Sequence, residues 1–388
     1  MSRKSQNIPL PYYVYFGTVM VIVFIGLFSS VYLSVSHYRV YTDMSYKSFC
    51  AISKAINCDT VSQSPYSILL NVPLPIWGVM GYLFLMGLLA FSLKKEIPNE
   101  RTWALFFWIS FLYSAYSIVL ALISTYVIHS YCIMCIVTYG VNFALVWFSW
   151  LIRKRFSSCS LMEDTRGDAA FLRHQPLKSL VWFSLIPVAI ILAIGFFPSY
   201  WKLESPPSVS HITTGITGDG HPWIGAENPV LEITEYTDYQ CFQCKKLHFF
   251  LRQLIADHPE KIRLVHRHFP IDHQFNPIVK RPLHKGSGQM ALLAIYAVPK
   301  DKFWLMNDLL FEMAGRGEHI SLKKLAEITG ISLTDLSQAL QAPAIRRRLM
   351  MDIAAGIEHG ITGTPAYVID GRLHQGQIPP DVIAKALR

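Results

Sequence analysis

The chain has 388 residues, 52% hydrophobic and only 16% charged, with 35 Lys and Arg against 26 Asp and Glu. Soluble domains carry about 25% charged residues, so a single soluble globule is excluded. Long uncharged stretches fill residues 5–201 and charges become frequent after them, which divides the chain into a membrane half and a soluble half.

No Asp, Glu, Lys or Arg lies between Lys4 and Arg39, Asp59 and Lys94, Arg101 and Arg153, or Lys178 and Lys202. A bilayer core of about 30 Å needs about 20 apolar residues per helix. The third gap is long enough for two helices and the others for one each, so five spans are predicted, near residues 12–35, 74–93, 102–124, 131–151 and 179–200. The apolar run from Tyr12 to Val35 exceeds the roughly 7–15 residues of a signal-peptide core and no small-x-small cleavage site follows. The first span therefore reads as a retained anchor.

Basic residues fix the orientation. Arg3, Lys4, Lys94, Lys95, Arg101 and the cluster Arg153, Lys154, Arg155, Arg166, Arg173 and Lys178 fall on one side, against Arg39, Lys47 and Lys54 on the other. The richer side is expected in the cytoplasm with the N-terminus, and five spans then carry the C-terminal half outside. In a bacterium this is a multi-pass protein of the inner membrane with a periplasmic soluble domain. The net charge of +9 is largely explained by this topology; the expected partner is the lipid bilayer, not nucleic acid.

Six of the seven cysteines form three close pairs on the expected outer side, while Cys159 is a cytoplasmic bystander. Disulfides persist in oxidising compartments, so the pairs read as exchangeable. Cys241 and Cys244 follow a strand-like alternation from Val230 and precede a helical pattern from Lys245 to Ile255. That places Cys241 at a helix N-terminus, where unsatisfied N–H groups and the helix dipole favour thiolate. Half a zinc site is the competing reading, with His266, His268 and His273 as candidate partners. However, no second C-x-x-C follows, and His266 and His268 lie on a strand whose polar residues are expected to alternate outward.

Asp238-Tyr-Gln-Cys-Phe-Gln-Cys244, His268-Phe-Pro270, Lys302-Phe-Trp-Leu-Met-Asn-Asp-Leu-Leu-Phe311 and Gly363-Thr-Pro-Ala-Tyr-Val-Ile-Asp-Gly371 together resemble a DsbA-like thioredoxin-fold module. The resemblance runs from about His221 to the C-terminus. It implies a thioredoxin sheet with a helical insertion near Leu283 to Met350, and a cis peptide at Thr364-Pro365 beside the cysteine pair. Phe242 and Gln243 depart from the Pro and aromatic or His residues common between the cysteines of such oxidants.

In the membrane half, Cys132 and Cys135 open the fourth span. Spacing i, i+3 places both sulfurs on one helical face with Cys135 about 4.5 Å deeper, so Cys132 is expected to face water and Cys135 lipid. Cys50 and Cys58 lie in the first external loop. A disulfide needs Cα atoms about 4.4–6.8 Å apart, so Ala51 to Asn57 must bend back if they pair; a shuttle or a static staple are the alternatives.

Cys50-x7-Cys58, Asp59-Thr-Val-Ser-Gln-Ser64-Pro-Tyr, Pro73-x-Pro-Ile-Trp-Gly78 and Tyr131-Cys-Ile-Met-Cys-Ile-Val-Thr-Tyr139 resemble the integral-membrane vitamin K epoxide reductase family, in its bacterial form fused to a thioredoxin-like domain. By that resemblance Cys50 and Cys58 are the shuttle pair, Cys132 their partner and Cys135 the cysteine beside a quinone, with Ser64 and Tyr139 lining its pocket. Ala51 stands where some members carry an acidic residue.

The expected fold is multi-domain: an all-α transmembrane four-helix bundle plus a fifth linker span, followed by an α/β thioredoxin fold with a helical insertion. The boundaries are 1–155 for the vitamin K epoxide reductase-like domain, 156–201 for a cytoplasmic loop and the fifth helix, 202–220 for a linker and 221–388 for the DsbA-like domain. With Pro206, Pro207, Gly215, Gly218 and Gly220, the stretch from Lys202 to Pro229 would reach about 25–30 Å as a flexible chain.

Thiol–disulfide exchange moves two electrons between sulfurs and cannot remove them from the system. A net oxidant must discharge them elsewhere, and a cysteine one helical turn inside the bilayer can reach a lipid-soluble quinone, ubiquinone or menaquinone. No metal is expected. Trp77, Tyr82, Tyr116 and Tyr139 are candidates for the pocket, against packing and interface roles. The expected activity is a quinone-dependent thiol:disulfide oxidoreductase acting on exported proteins with free thiols. The alternatives are a membrane-tethered reductase or isomerase, or a non-enzymatic tethered chaperone.

Overall fold

The computed structural model describes residues 11–44, 46–53, 55–92, 102–174, 176–203, 206, 212–315 and 320–387. The chain divides into two compact units, Met1–Trp201 and Lys202–Arg388. Arg3, Lys4, Lys94, Lys95 and Arg101, counted above for orientation, and Lys54 lie outside the described residues.

The first unit holds α1 (Tyr12–Thr42), α2 (Cys58–Gln63), a short hairpin of β1 (Ile68–Leu69) and β2 (Val72–Pro73), then α3 (Leu74–Ser92), α4 (Trp103–Ile123), α5 (Ile133–Phe156), α6 (Leu161–Arg173) and α7 (Pro176–Phe196). Among the described residues three helices are long and apolar enough to cross a membrane: α1, α4 with its π-helical extension to Ile128, and α5. The apolar stretches Leu74–Ala90 and Trp182–Phe196, where two further spans are predicted, are shorter.

The helices α1, α3, α4 and α5 pack around Val19, Val23, Leu85, Leu88, Leu89 and Leu145. Small residues allow close approach where no solvent drives helices together: a Cβ at Gly26 of α1 would collide with the ring of Tyr82 on α3. At one end of the bundle Trp103 Nε1 donates to Tyr12 Oη at 3.0 Å and Tyr12 meets Phe156 edge-on. There Asp168 of α6 accepts the free N–H groups of Ala104 and Leu105 at the start of α4, at 2.8 and 3.0 Å. The opposite end carries four of this unit's five cysteines, Cys50, Cys58, Cys132 and Cys135.

The second unit contains β3 (Thr214–Ile216), β4 (Pro222–Gly225), β5 (Leu231–Thr237), α8 (Phe242–Asp257), β6 (Ile262–His268), α9 (Ser287–Ala297), α10 (Phe303–Gly315), α11 (Leu322–Thr329), α12 (Leu333–Ala339), α13 (Pro343–Glu358), β7 (Ala366–Ile369), β8 (Arg372–Gln375) and α14 (Pro380–Leu387). The sheet order is β3-β4-β6-β5-β7-β8. Only β5 and β6 run parallel, as their α8 crossover requires. Helices α9 to α13 are inserted between β6 and β7, giving the thioredoxin-like sheet its helical cap.

Two local expectations are corrected. Residues 214–220, placed above in the linker, form β3 and its turn into β4; Gly220 supplies the left-handed residue of that turn with φ +84°. His266 and His268 do not point outward. They continue the buried row of Ile262 and Leu264 on β6, a strand flanked on both sides by β4 and β5, and it is Arg263 and Arg267 that reach toward solvent.

Candidate functional site

Strand β5 runs straight into the turn Asp238-Tyr-Gln, and Cys241 becomes the N-cap of α8, its sulfur accepting the Cys244 N–H at 3.3 Å. Asp238 makes the turn: Oδ1 accepts the Gln240 N–H at 2.7 Å, and Oδ2 accepts the Ile271 N–H at 2.6 Å and the Ser287 hydroxyl at 2.9 Å. The Thr364–Pro365 peptide is cis, and the carbonyl oxygen of Thr364 lies 3.6 Å from Cys241 Sγ. The two thiols are driven apart electrostatically. Hydrogen bonding from Cys244, aided by the charge of His284, lowers the Cys241 pKa, whereas burial pushes that of Cys244 well up. One attacking thiolate beside one resolving thiol is the arrangement disulfide exchange requires.

Beneath the pair lies a buried polar network. Glu235 Oε1 accepts from Nδ1 of His248 and of His266, both at 2.7 Å. With Asn307 oriented to donate to His248 Nε2 at 3.0 Å, its Oδ1 accepts the Tyr239 hydroxyl at 3.0 Å. The ligand atoms of Glu235, His248 and His266 lie within 4.8 Å of one another, a set able to hold a metal ion; their 2.7 Å separations are those of hydrogen bonds. Neither cysteine belongs to this set, so the pairing of C-x-x-C with histidines considered above is not what the fold brings together.

Burial alone would raise the Glu235 pKa, but the charges and hydrogen bonds of His248 and His266 hold it down at about 2. A carboxyl lowered by folding contributes stability above its ordinary value of 4.5 and loses it as pH falls toward 2. Urea midpoints of the full-length protein should therefore drop between pH 4.5 and 3, and Glu235→Gln should be weaker at pH 7 with a shallower acid loss. An identical pH profile in the variant would show that Glu235 carries none of it.

In the membrane unit Cys50 and Cys58 are joined, with Cα atoms 5.6 Å apart. The reversal comes from Ile52 and Ser53, whose N–H groups both donate to the carbonyl of Ile56, at 3.0 and 3.1 Å. Asn57 then caps α2 through the Asp59 and Thr60 N–H groups. Backbone bonds from Asn57 N to Tyr131 O and from Tyr131 N to Ala55 O, at 2.9 and 2.8 Å, lash this loop to the start of α5. Cys50, Cys58 and Cys132 consequently share one buried cluster with Leu33, and Cys135 packs against it.

Cys132 caps α5 as Cys241 caps α8, its sulfur accepting the Cys135 N–H at 3.2 Å. It does not face water: the lashed loop seals it to 2% exposure. Cys135 lines a partly open cavity of about 230 Å³ between α1, α2, α3, α4, α5 and the segment after α2. Ser64 and Tyr139 line the same cavity, as do Trp77, Tyr82 and Tyr116. Cys159 stands apart, exposed beyond α5.

Sequence reasoning missed Asn142, Ser117 and His37 on the polar wall. Tyr82 Oη donates to Asn142 Oδ1 at 2.8 Å, and Asn142 Nδ2 donates to Ser117 Oγ at 2.9 Å. Asn142 falls on the helical face of Cys135 and Tyr139, at i, i+4 and i+7, and an amide within an apolar span is the signal that would have found it. His37 also lines the cavity, between Tyr200 Oη at 2.8 Å and Ser67 Oγ at 3.2 Å.

The chain matches the vitamin K epoxide reductase family over residues 18–150 and the DSBA-like thioredoxin domain over residues 232–388. It is 24% identical over 163 residues to Na(+)/H(+) antiporter NhaA 3 of Salinispora tropica, covering 42% of this chain and 24% of that protein. It is 25% identical over 187 residues to Na(+)/H(+) antiporter NhaA of Herminiimonas arsenicoxydans, covering 48% and 26%. The chain spans about a quarter of the length of these relatives. Similar solved structures include Pseudomonas aeruginosa DsbA2, at 22% identity and TM-score 0.35 over 42% of this chain and 91% of that one. A thioredoxin-like oxidoreductase from Silicibacter pomeroyi DSS-3 matches at 21% identity and TM-score 0.35, over 44% and 91%. The chain thus joins a vitamin K epoxide reductase family domain at residues 18–150 to a DSBA-like thioredoxin domain at residues 232–388.

Proposed function

We propose that the protein is a quinone-dependent thiol oxidase that forms disulfides in exported proteins. Two electrons pass from a substrate dithiol to the Cys241–Cys244 disulfide, from there to Cys50–Cys58, and then to Cys132–Cys135. Each step breaks one S–S bond and forms another. The quinone takes up the two electrons with two protons, so the sum is one dithiol and one quinone converted to one disulfide and one quinol. Cys135, Tyr139 and Ser64 would hold the quinone, with Asn142 and Tyr82 on the polar wall.

The observation that carries this reading is that Cys135 lines an apolar cavity while packing against the cluster of Cys50, Cys58 and Cys132. Sulfur chemistry and a hydrocarbon-soluble acceptor can thus meet at one residue. The cavity fits a quinone ring: its walls are mainly apolar and a few polar groups converge on it. The oxidising side on which these residues would work is the periplasmic face of a bacterial inner membrane.

The test is direct. Purified full-length protein in detergent, given a reduced dithiol peptide and a short-chain ubiquinone or menaquinone, should form one quinol for each peptide disulfide. Folded, cysteine-intact protein that turns over neither quinone would refute the proposal.

A further inference from the structure

Neither residue between Cys241 and Cys244 carries charge, yet an exchanging thiolate is favoured by a nearby cation. Lys245, the next basic residue, directs its ammonium over the ring of Phe249 at 5.3 Å. We propose that His284, delivered by the loop between β6 and α9, supplies the positive charge that stabilises the Cys241 thiolate, the part Phe242 and Gln243 do not play. This rests on the reading of Cys241 as the exchanging nucleophile and adds the residue that tunes it.

The loop is clamped against the Cys241 turn by two buried carboxylates. Asp238, whose backbone carbonyl accepts the Cys241 N–H at 3.1 Å, places Oδ2 3.1 Å from His284 Nδ1 and takes the Ser287 hydroxyl on the same oxygen. Asp272 accepts the N–H groups of Gly286 at 3.0 Å and Gly288 at 3.4 Å. Gln240, immediately before Cys241, reaches across to the Lys285 carbonyl at 2.7 Å. His284 itself is held at φ +26°, a conformation side chains rarely adopt and one that persists only where the surroundings enforce it.

The groups that act most strongly on the charge of this imidazole are Asp238, then Cys241 and Asp272. Burial opposes its protonation, but the first of these carboxylates, joined by Cys241 and Asp272, raises its pKa to about 9. At neutral pH the ring is then a cation in a loop that Asp238 and Gln240 hold against the Cys241 turn. The same charge in turn lowers the Cys241 pKa. His284 is a positioning and tuning residue: it acts on the sulfur through its field, and its partial exposure leaves it at the rim of the site.

The experiment is the pH profile of iodoacetamide alkylation at Cys241 in the reduced full-length protein, read from the Cys241 peptide by mass. His284→Gln should move the half-reaction pH upward and slow alkylation at pH 6 by about tenfold, one pH unit of lost stabilisation. His284→Lys should restore the rate. An unchanged profile in His284→Gln, with a low wild-type half-reaction pH, would overturn the role of His284 alone. An ordinary thiol profile in the wild type would end both this role and Cys241 as the nucleophile.

A second measurement needs no neutral variant to fold. Coupling is reciprocal, so the His284 ring in histidine-labelled wild-type protein should titrate at lower pH when Cys241–Cys244 is oxidised than when it is reduced. A titration independent of redox state would overturn the proposal.

Discussion

Replacing Cys135 with Ala should abolish steady-state quinone reduction, a loss of at least about 10³-fold set by removal of a covalent participant. One round of exchange between the dithiol peptide and the Cys241–Cys244 disulfide should survive. The reason is spatial: Cys135 is the cysteine that lines the cavity, whereas Cys241 and Cys244 belong to a separate compact unit. The measurement is quinol formation together with single-turnover peptide oxidation. Retained quinol formation would assign the electron exit to another group.

Cys50→Ser should be nearly as damaging and at a different step. The remaining thiol, Cys58, sits in the same cluster as Cys132, so the span pair keeps a neighbouring thiol while the loop loses the disulfide that the proposed relay requires. Multiple-turnover oxidation of the peptide should fall to about 1% or less, because two-electron exchange needs both sulfurs. The Cys241–Cys244 pair should then accumulate in the reduced form, seen by trapping with a mass-adding maleimide. A static staple predicts the opposite: lower stability of the loop with transfer intact. Normal flux through Cys50→Ser would favour it.

Much of this was legible in the sequence because cysteine spacing and uncharged runs are local signals. Cys241 and Cys132 each open a helical pattern, and both cap their helices. What resisted reading was whatever depends on which face is covered. The alternation on β6 is identical whether His266 and His268 look in or out, and only the flanking strands and the partner Glu235 decide it. The spacing alone predicts a water-facing Cys132, because nothing local reveals that Ala55 and Asn57 pair with Tyr131 above it. His284 lies far from Cys241 along the chain, and only the two aspartates that clamp its loop to the Cys241 turn relate them. Asn142 was readable in principle, two turns from Cys135 in an otherwise apolar helix.

The contact between Gly26 and Tyr82 carries a mechanical consequence. Gly26 does not line the cavity, yet it touches the ring whose hydroxyl is bonded to Asn142 on the cavity wall. Any bulk added there would be transmitted as a displacement of the amide. The hydrogen-bonding character of the chamber is thus governed partly by a spot on the far side of a phenol ring, and variants that alter ligand preference need not map to the chamber's surface.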